Sequence, residues 1–155
     1  MTVSPAAFFF DMLERANVRI EYGGLSNPDR LGEYAHSHQL VRLVEDLAPR
    51  ELPLVLGHET GHVVLDHVPS MFGHFDARME RDADEWAVSH LFTHNDYRDA
   101  EHAADGHLPT IAYFLGTVDE AIEIYQRRLL RVGDQVYFGA RMGLGQWQQK
   151  FAVNS

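Results

Sequence analysis

The sequence predicts an α+β protein in which a small antiparallel sheet packs on a helical core. Three observations carry that expectation. Phe9, Met12, Leu13 and Ala16 recur at helical spacing near the start of the chain. From Val18 the period shortens to two, with Val18, Ile20 and Tyr22 alternating with polar residues. Past Pro49 and Pro53 the apolar residues return to helical spacing.

Each element has its own punctuation. Ser4 and Pro5 suit the start of the first helix, as N-cap and first-turn proline. Gly23, Gly24 and Asn27-Pro28 end the first strand. The runs LGEYAH and QLVRLV, on either side of Ser37-His38, read as a hairpin. The next helix should carry Leu52, Leu56, Val63 and Val64 into the core. HVPSMFGHFD, residues 67–76, reads as a loop because Pro69 and Gly73 interrupt any pattern. A second helix through ARMERDADEWAVSHLF sets Met79, Ala83, Trp86, Ala87, His90 and Leu91 on one stripe, and a helical segment over 96–104 follows. Thr117 and Glu120 make a capping box ahead of Val118, Ala121, Ile122, Tyr125 and Leu129. The tail, residues 132–155, is glycine-rich and is left unplaced.

At 155 residues, with no internal repeat or linker, the chain is expected to form a single domain over 1–155 with a real core. A net charge of −10 argues against direct nucleic-acid binding and suits a basic partner. No cysteine is present, so any transition metal must use His, Asp or Glu. AAFFF is too short for a membrane span and lacks the layout of a signal peptide, so a cytoplasmic protein without membrane attachment is expected.

LGHETGHVVLDH, Leu56 to His67, raises the question of chemistry. His58 and His62 are four apart, so on a helix both imidazoles face one ion while Glu59 points towards the same pocket. This is the HExxH arrangement, whose glutamate acts as general base on an attacking water. Gly61 either leaves room beside the site or lets another segment pack closely. A catalytic zinc ordinarily takes three protein ligands. Leu65 and Val68 stand where the metzincin extension needs Gly and His, and Asp66 and His67 are too near along the chain to complete the site easily. His74 in the loop is one candidate for the third ligand. Glu80 is the stronger one: Glu80 and Asp84 share a face of the second helix, so Glu80 can reach the metal while Asp84 accepts a hydrogen bond from the far nitrogen of a ligand histidine. His90 lies on the core stripe and reads as a packing residue; His36, His38, His94, His102 and His107 read as surface or packing residues.

HETGHVVLDH followed by ERDADEWAVSHL resembles the HELGH…EREANxFAAELL pattern of ImmA/IrrE-type metallopeptidases. With the preceding hairpin and the later IAYFLGTVDEAIEIYQRRL, the resemblance covers roughly residues 15–131. It implies a zincin-like active-site helix with a second, ligand-bearing helix. It also implies one catalytic Zn2+ on His58, His62 and Glu80, with Glu59 as general base. Asp84 stands where the family usually has Asn, and LFTH replaces its usual LLMP. The implied activity is that of a gluzincin-like zinc metalloendopeptidase, with a regulatory role in transcription. Its implied substrate is a helix-turn-helix transcriptional repressor, here a separate and basic DNA-binding protein.

Two other readings are weighed. PTIAYFLGTVDEAIEIYQRRL could be a DNA-reading helix-turn-helix, but its second helix opens with Asp119, Glu120 and Glu123, which would repel phosphates. A non-enzymatic protein, stabilised by metal and inactivating a regulator by binding, would have no use for Glu59.

Overall fold

In the computed structural model, which describes residues 4–131, 135–138 and 148–151, the first helix begins where Ser4 and Pro5 place it. The Ser4 hydroxyl accepts from the Ala7 N–H at 3.2 Å, and α1 runs Pro5–Arg15 with Phe9 and Leu13 fully buried. Three strands follow: β1 Arg19–Tyr22, β2 Gly32–Ala35 and β3 Leu40–Leu43. β2 and β3 form the expected antiparallel hairpin, with Ala35 opposite Leu40 across a short helical turn at His36–His38.

The sheet is mixed rather than wholly antiparallel. Its order is β1-β3-β2, and β1 pairs with β3 in parallel, Arg19 opposite Leu40 through Tyr22 opposite Leu43. The connection explains it: residues 23–31 carry the chain to the far edge, so β1 meets the returning strand of the hairpin, which runs in its own direction. Glu33 pins this crossing. Its carboxylate accepts from the Ser26 N–H at 3.0 Å, from the Ser26 hydroxyl and from Arg42 Nη1 at 3.1 Å. Burial alone would raise this carboxyl, but the bonds from Ser26 and Arg42 outweigh it and hold Glu33 below the usual range.

Two helices complete the unit formed by residues 1–90: α2, Leu52–Val64, and α3, Ala77–Ser89, capped by Asp76 onto the Met79 N–H at 2.8 Å. The buried side of α2 is not the one its bulky residues suggest. Leu54, Leu56, Gly57, Glu59, Thr60, Gly61 and His62 are buried, whereas Val63 is half-buried and Val64 is exposed at the helix end. His90 is likewise exposed rather than in the core. It still packs, stacked on Phe8 at 5.3 Å and against Trp86 at 4.3 Å between ring centroids.

Residues 91–155 form the second unit, with α4 His94–Ala103, α5 Leu108–Phe114, α6 Asp119–Arg131 and the strands β4 Gln135–Phe138 and β5 Gln148–Phe151, which pair antiparallel. The tail left unplaced by the sequence thus contains a strand pair. Asp119, Glu120 and Glu123 lie exposed on α6. With six α-helices and a small mixed sheet among the described residues, the fold class is α+β. None of the described helices is long and apolar enough to cross a membrane.

Candidate metal centre

α2 and α3 approach closely because small residues face each other across the seam. A Cβ added at Gly61 would meet the Ala83 carbonyl oxygen at 3.0 Å and the Ala83 Cα at 3.1 Å. One at Gly57 would meet the Phe9 ring at 2.7 Å and the Ala87 Cβ at 3.0 Å. Gly57 and Gly61 are one turn apart, as are Ala83 and Ala87, so two matched steps zip the helices together. Of the two roles open to Gly61, close packing is therefore the one realised. The next residues round each helix, His58 and His62 on α2 and Glu80 and Asp84 on α3, are brought face to face.

Three donor side chains converge there. His58 Nε2 and His62 Nε2 are 3.1 Å apart. Glu80 completes the triangle, with Oε2 3.2 Å from His58 Nε2 and Oε1 3.1 Å from His62 Nε2. Bond lengths of ~2.0–2.1 Å and tetrahedral angles place neighbouring zinc ligands about 3.3 Å apart, so the spacing of these three side chains suits ligands of one ion. Glu80 Oε1 is buried and faces His62 Nε2, so when that nitrogen carries no proton the oxygen is left to be answered by a cation. His58, Glu59 and His62 also offer ligand atoms within 4.8 Å of one another. Glu80 fits the set better than Glu59, because its two oxygens reach both imidazoles, one each. Residues 58, 62 and 80 could hold a divalent metal. His74, the alternative third donor, is exposed in the loop, where its carbonyl closes a turn by accepting from the Ser70 N–H at 2.7 Å.

The surroundings set the charges. Asp84 Oδ1 accepts from His58 Nδ1 at 2.7 Å, the bond expected of it. Burial pulls the His58 imidazole down, but the bonds to Asp84 and Glu80 and the charge of Glu59 outweigh it, raising it to about 10. Burial works against the Glu80 carboxylate too, yet the two histidines beside it hold it far below the usual range. His62 is lowered, chiefly by burial. Burial also pushes the Glu59 carboxyl up to about 7, with His58 pulling the other way. Glu59 sits beneath the sheet edge: a Cβ at Gly32 of β2 would lie 3.4 Å from its Cγ and 2.7 Å from Val55 Cγ1.

Two neighbours have a place at the site that spacing alone does not give them. His67 Nδ1 lies 2.9 Å from His62 Nδ1, and the Phe75 ring stacks on the His62 ring at 3.8 Å and 10°. The spacing of five from His62 to His67 puts the two on different sides of a continuous helix. They meet only because α2 stops at Val64 and Asp66 turns left-handed, φ 55°.

A family model, the IrrE N-terminal-like domain of Peptidase_M78, matches residues 13–123. The chain belongs to this family. The match spans the sheet and both helices of the triangle, and ends inside α6. The M78 family is one of metallopeptidases, and the donor set here suits that chemistry. No curated protein and no solved structure gives a significant match.

Proposed function

We propose that the chain is a gluzincin-like zinc metalloendopeptidase, working in the cytoplasm, that cuts a separate basic helix-turn-helix repressor and so relieves transcriptional repression. The triangle of His58 Nε2, His62 Nε2 and Glu80 oxygens, 3.1–3.2 Å on a side, with Glu59 buried beside it, carries the reading. These three side chains would hold Zn2+, which when bound supplies a Lewis acid for the scissile carbonyl and for the attacking water. Asp84 holds one proton of His58 on Nδ1, so that Nε2 would present its lone pair once Zn2+ displaces the other proton. Glu59 accepts a proton from the water as the water oxygen bonds to the carbonyl carbon. It then delivers that proton to the amine nitrogen as the C–N bond breaks. A carboxyl raised to about 7 can both take and return a proton near neutral pH. The charge of −10 supports a basic protein partner and speeds its encounter, an effect that salt screens.

The test is to incubate the zinc-loaded protein with a helix-turn-helix repressor encoded beside it and analyse the products by mass spectrometry. One discrete cut is expected, absent with Glu59→Gln and absent after chelation. A repressor that stays whole yet leaves its operator would favour the metal-stabilised binding protein instead.

A further inference from the structure

The two candidate ligand histidines are steadied by different chemistry. His58 Nδ1 faces a carboxylate, whereas His62 Nδ1 faces another imidazole, that of His67, at 2.9 Å. We propose that His67 is a positioning residue for metal binding: it accepts a hydrogen bond from His62 Nδ1–H and so leaves His62 Nε2 as a lone-pair donor. The inference rests on the metallopeptidase reading and adds to it a residue outside the HExxH and ExxxD motifs.

The placement is built into the backbone. α2 ends in the pattern in which the Asp66 N–H bonds to the Val63 carbonyl at 3.2 Å and the His67 N–H to the His62 carbonyl at 3.0 Å, around a left-handed Asp66. That pattern lays the side chain two places past the helix end over the one five residues earlier, here His67 over His62. An apolar residue ordinarily makes this contact. A histidine there is buried with its polar nitrogen against its neighbour's, and this is useful only if the bond is used.

Only one proton fits between two nitrogens 2.9 Å apart. If His62 holds it, the His62 Nε2 lone pair faces His58 and Glu80. If His67 holds it, His62 must carry its own proton on Nε2, the atom that faces Glu80 Oε1, and cannot ligate through it. Phe75 stacks flat on His62, and His62 is 1% exposed, so the ring is held against flipping to exchange its nitrogens. The tautomer is therefore the remaining freedom, and it is coupled to that of His67 through the shared proton. Metal on Nε2 selects the arrangement in which His67 accepts on Nδ1 and carries its proton on Nε2.

Long-range nitrogen–proton NMR of the zinc-loaded wild-type protein reads both tautomers directly. The expected result is His62 protonated on Nδ1 and His67 on Nε2; a proton on His67 Nδ1 overturns the proposal. Chelator competition supplies a second measurement. His67→Leu should weaken zinc binding by roughly 10–100-fold, as losses of a ligand's hydrogen-bond partner do, while His67→Asn, which retains an acceptor, should recover most of it. Zinc binding unchanged in His67→Leu, or no better in His67→Asn than in His67→Leu, overturns the proposal and leaves the metallopeptidase reading standing. Failure of the wild-type protein to take up zinc would overturn both. The NMR result decides even where His67→Leu fails to fold.

Discussion

Two buried polar clusters differ in how they end. On α4 and α6 the Tyr97 hydroxyl donates to Glu101 Oε2 at 2.8 Å and accepts from Gln126 Nε2 at 3.1 Å. Burial drives that hydroxyl well above its ordinary range, with Glu101 adding to the effect, so it stays protonated with both its donor and its acceptor role filled. Around them are rings, Tyr97 against Tyr125 at 4.7 Å and Phe92 against Tyr125 at 4.9 Å. The α2–α3 seam is filled instead by Gly57, Gly61, Ala83 and Ala87, and its polar atoms converge, with both Glu80 oxygens facing imidazole nitrogens at 3.1–3.2 Å. A cluster whose donors and acceptors pair off stabilises a fold. One whose acceptors converge stores an affinity for a cation.

Substitutions can break that contrast, and the largest effect should come from the atom that makes it. Glu80→Ala should lose more than ~100-fold in zinc affinity by chelator competition, exceeding the range for an outer partner, because two imidazoles alone hold the ion weakly. Near-normal zinc content would move the third ligand elsewhere. Asp84→Ala should cost roughly 10–100-fold, and Asp84→Asn less than that, since an amide oxygen still accepts from His58. Equal losses in the two variants would make the charge of Asp84, rather than its hydrogen bond, the important property. Gly61→Ala should overpack the seam against Ala83, lowering stability by about 1–3 kcal/mol in denaturant titration and loosening zinc as α3 is pushed away. A variant as stable as the parent would show that the close approach is not what holds the helices. The smallest effect is expected on the other side of the comparison. Tyr97→Phe should cost about 1 kcal/mol of stability while zinc content stays unchanged. A change in zinc content there would end the distinction between the two clusters.

Much of this was legible in residue spacing. HExxH and ExxxD each place two side chains on one helix face, and the close approach of α2 and α3 then brings 58, 62, 80 and 84 together. The hairpin too was visible in its alternation. The position of β1 was not, because alternation specifies a strand and its faces but not its neighbour, and the crossing depends on Glu33 binding Ser26. Side-chain size points Val64 into the core, yet it is exposed. The inner face of α2 is instead set by how closely α3 can come, which favours glycine. The contact of His67 with His62 does not follow from spacing, because it is made by the turn that ends α2 rather than by the helix or by the loop beyond it. Asp66, an aspartate following the last apolar pair, was the available sign of that stop.

The parallel pairing of β1 with β3 also bears on how the chain assembles. The hairpin needs only a short closure, from Ala35 to Leu40, whereas β1 joins Arg19 to Leu40 across everything between. Closing the larger loop costs more chain entropy, growing as the logarithm of its length, so the hairpin gains its order earlier and β1 docks onto a template already made. The segment 23–31 thereby acts as a timing element. Until β1 docks, one edge of β3 presents unpaired backbone groups, the kind of exposure at which pairing with another chain competes with folding.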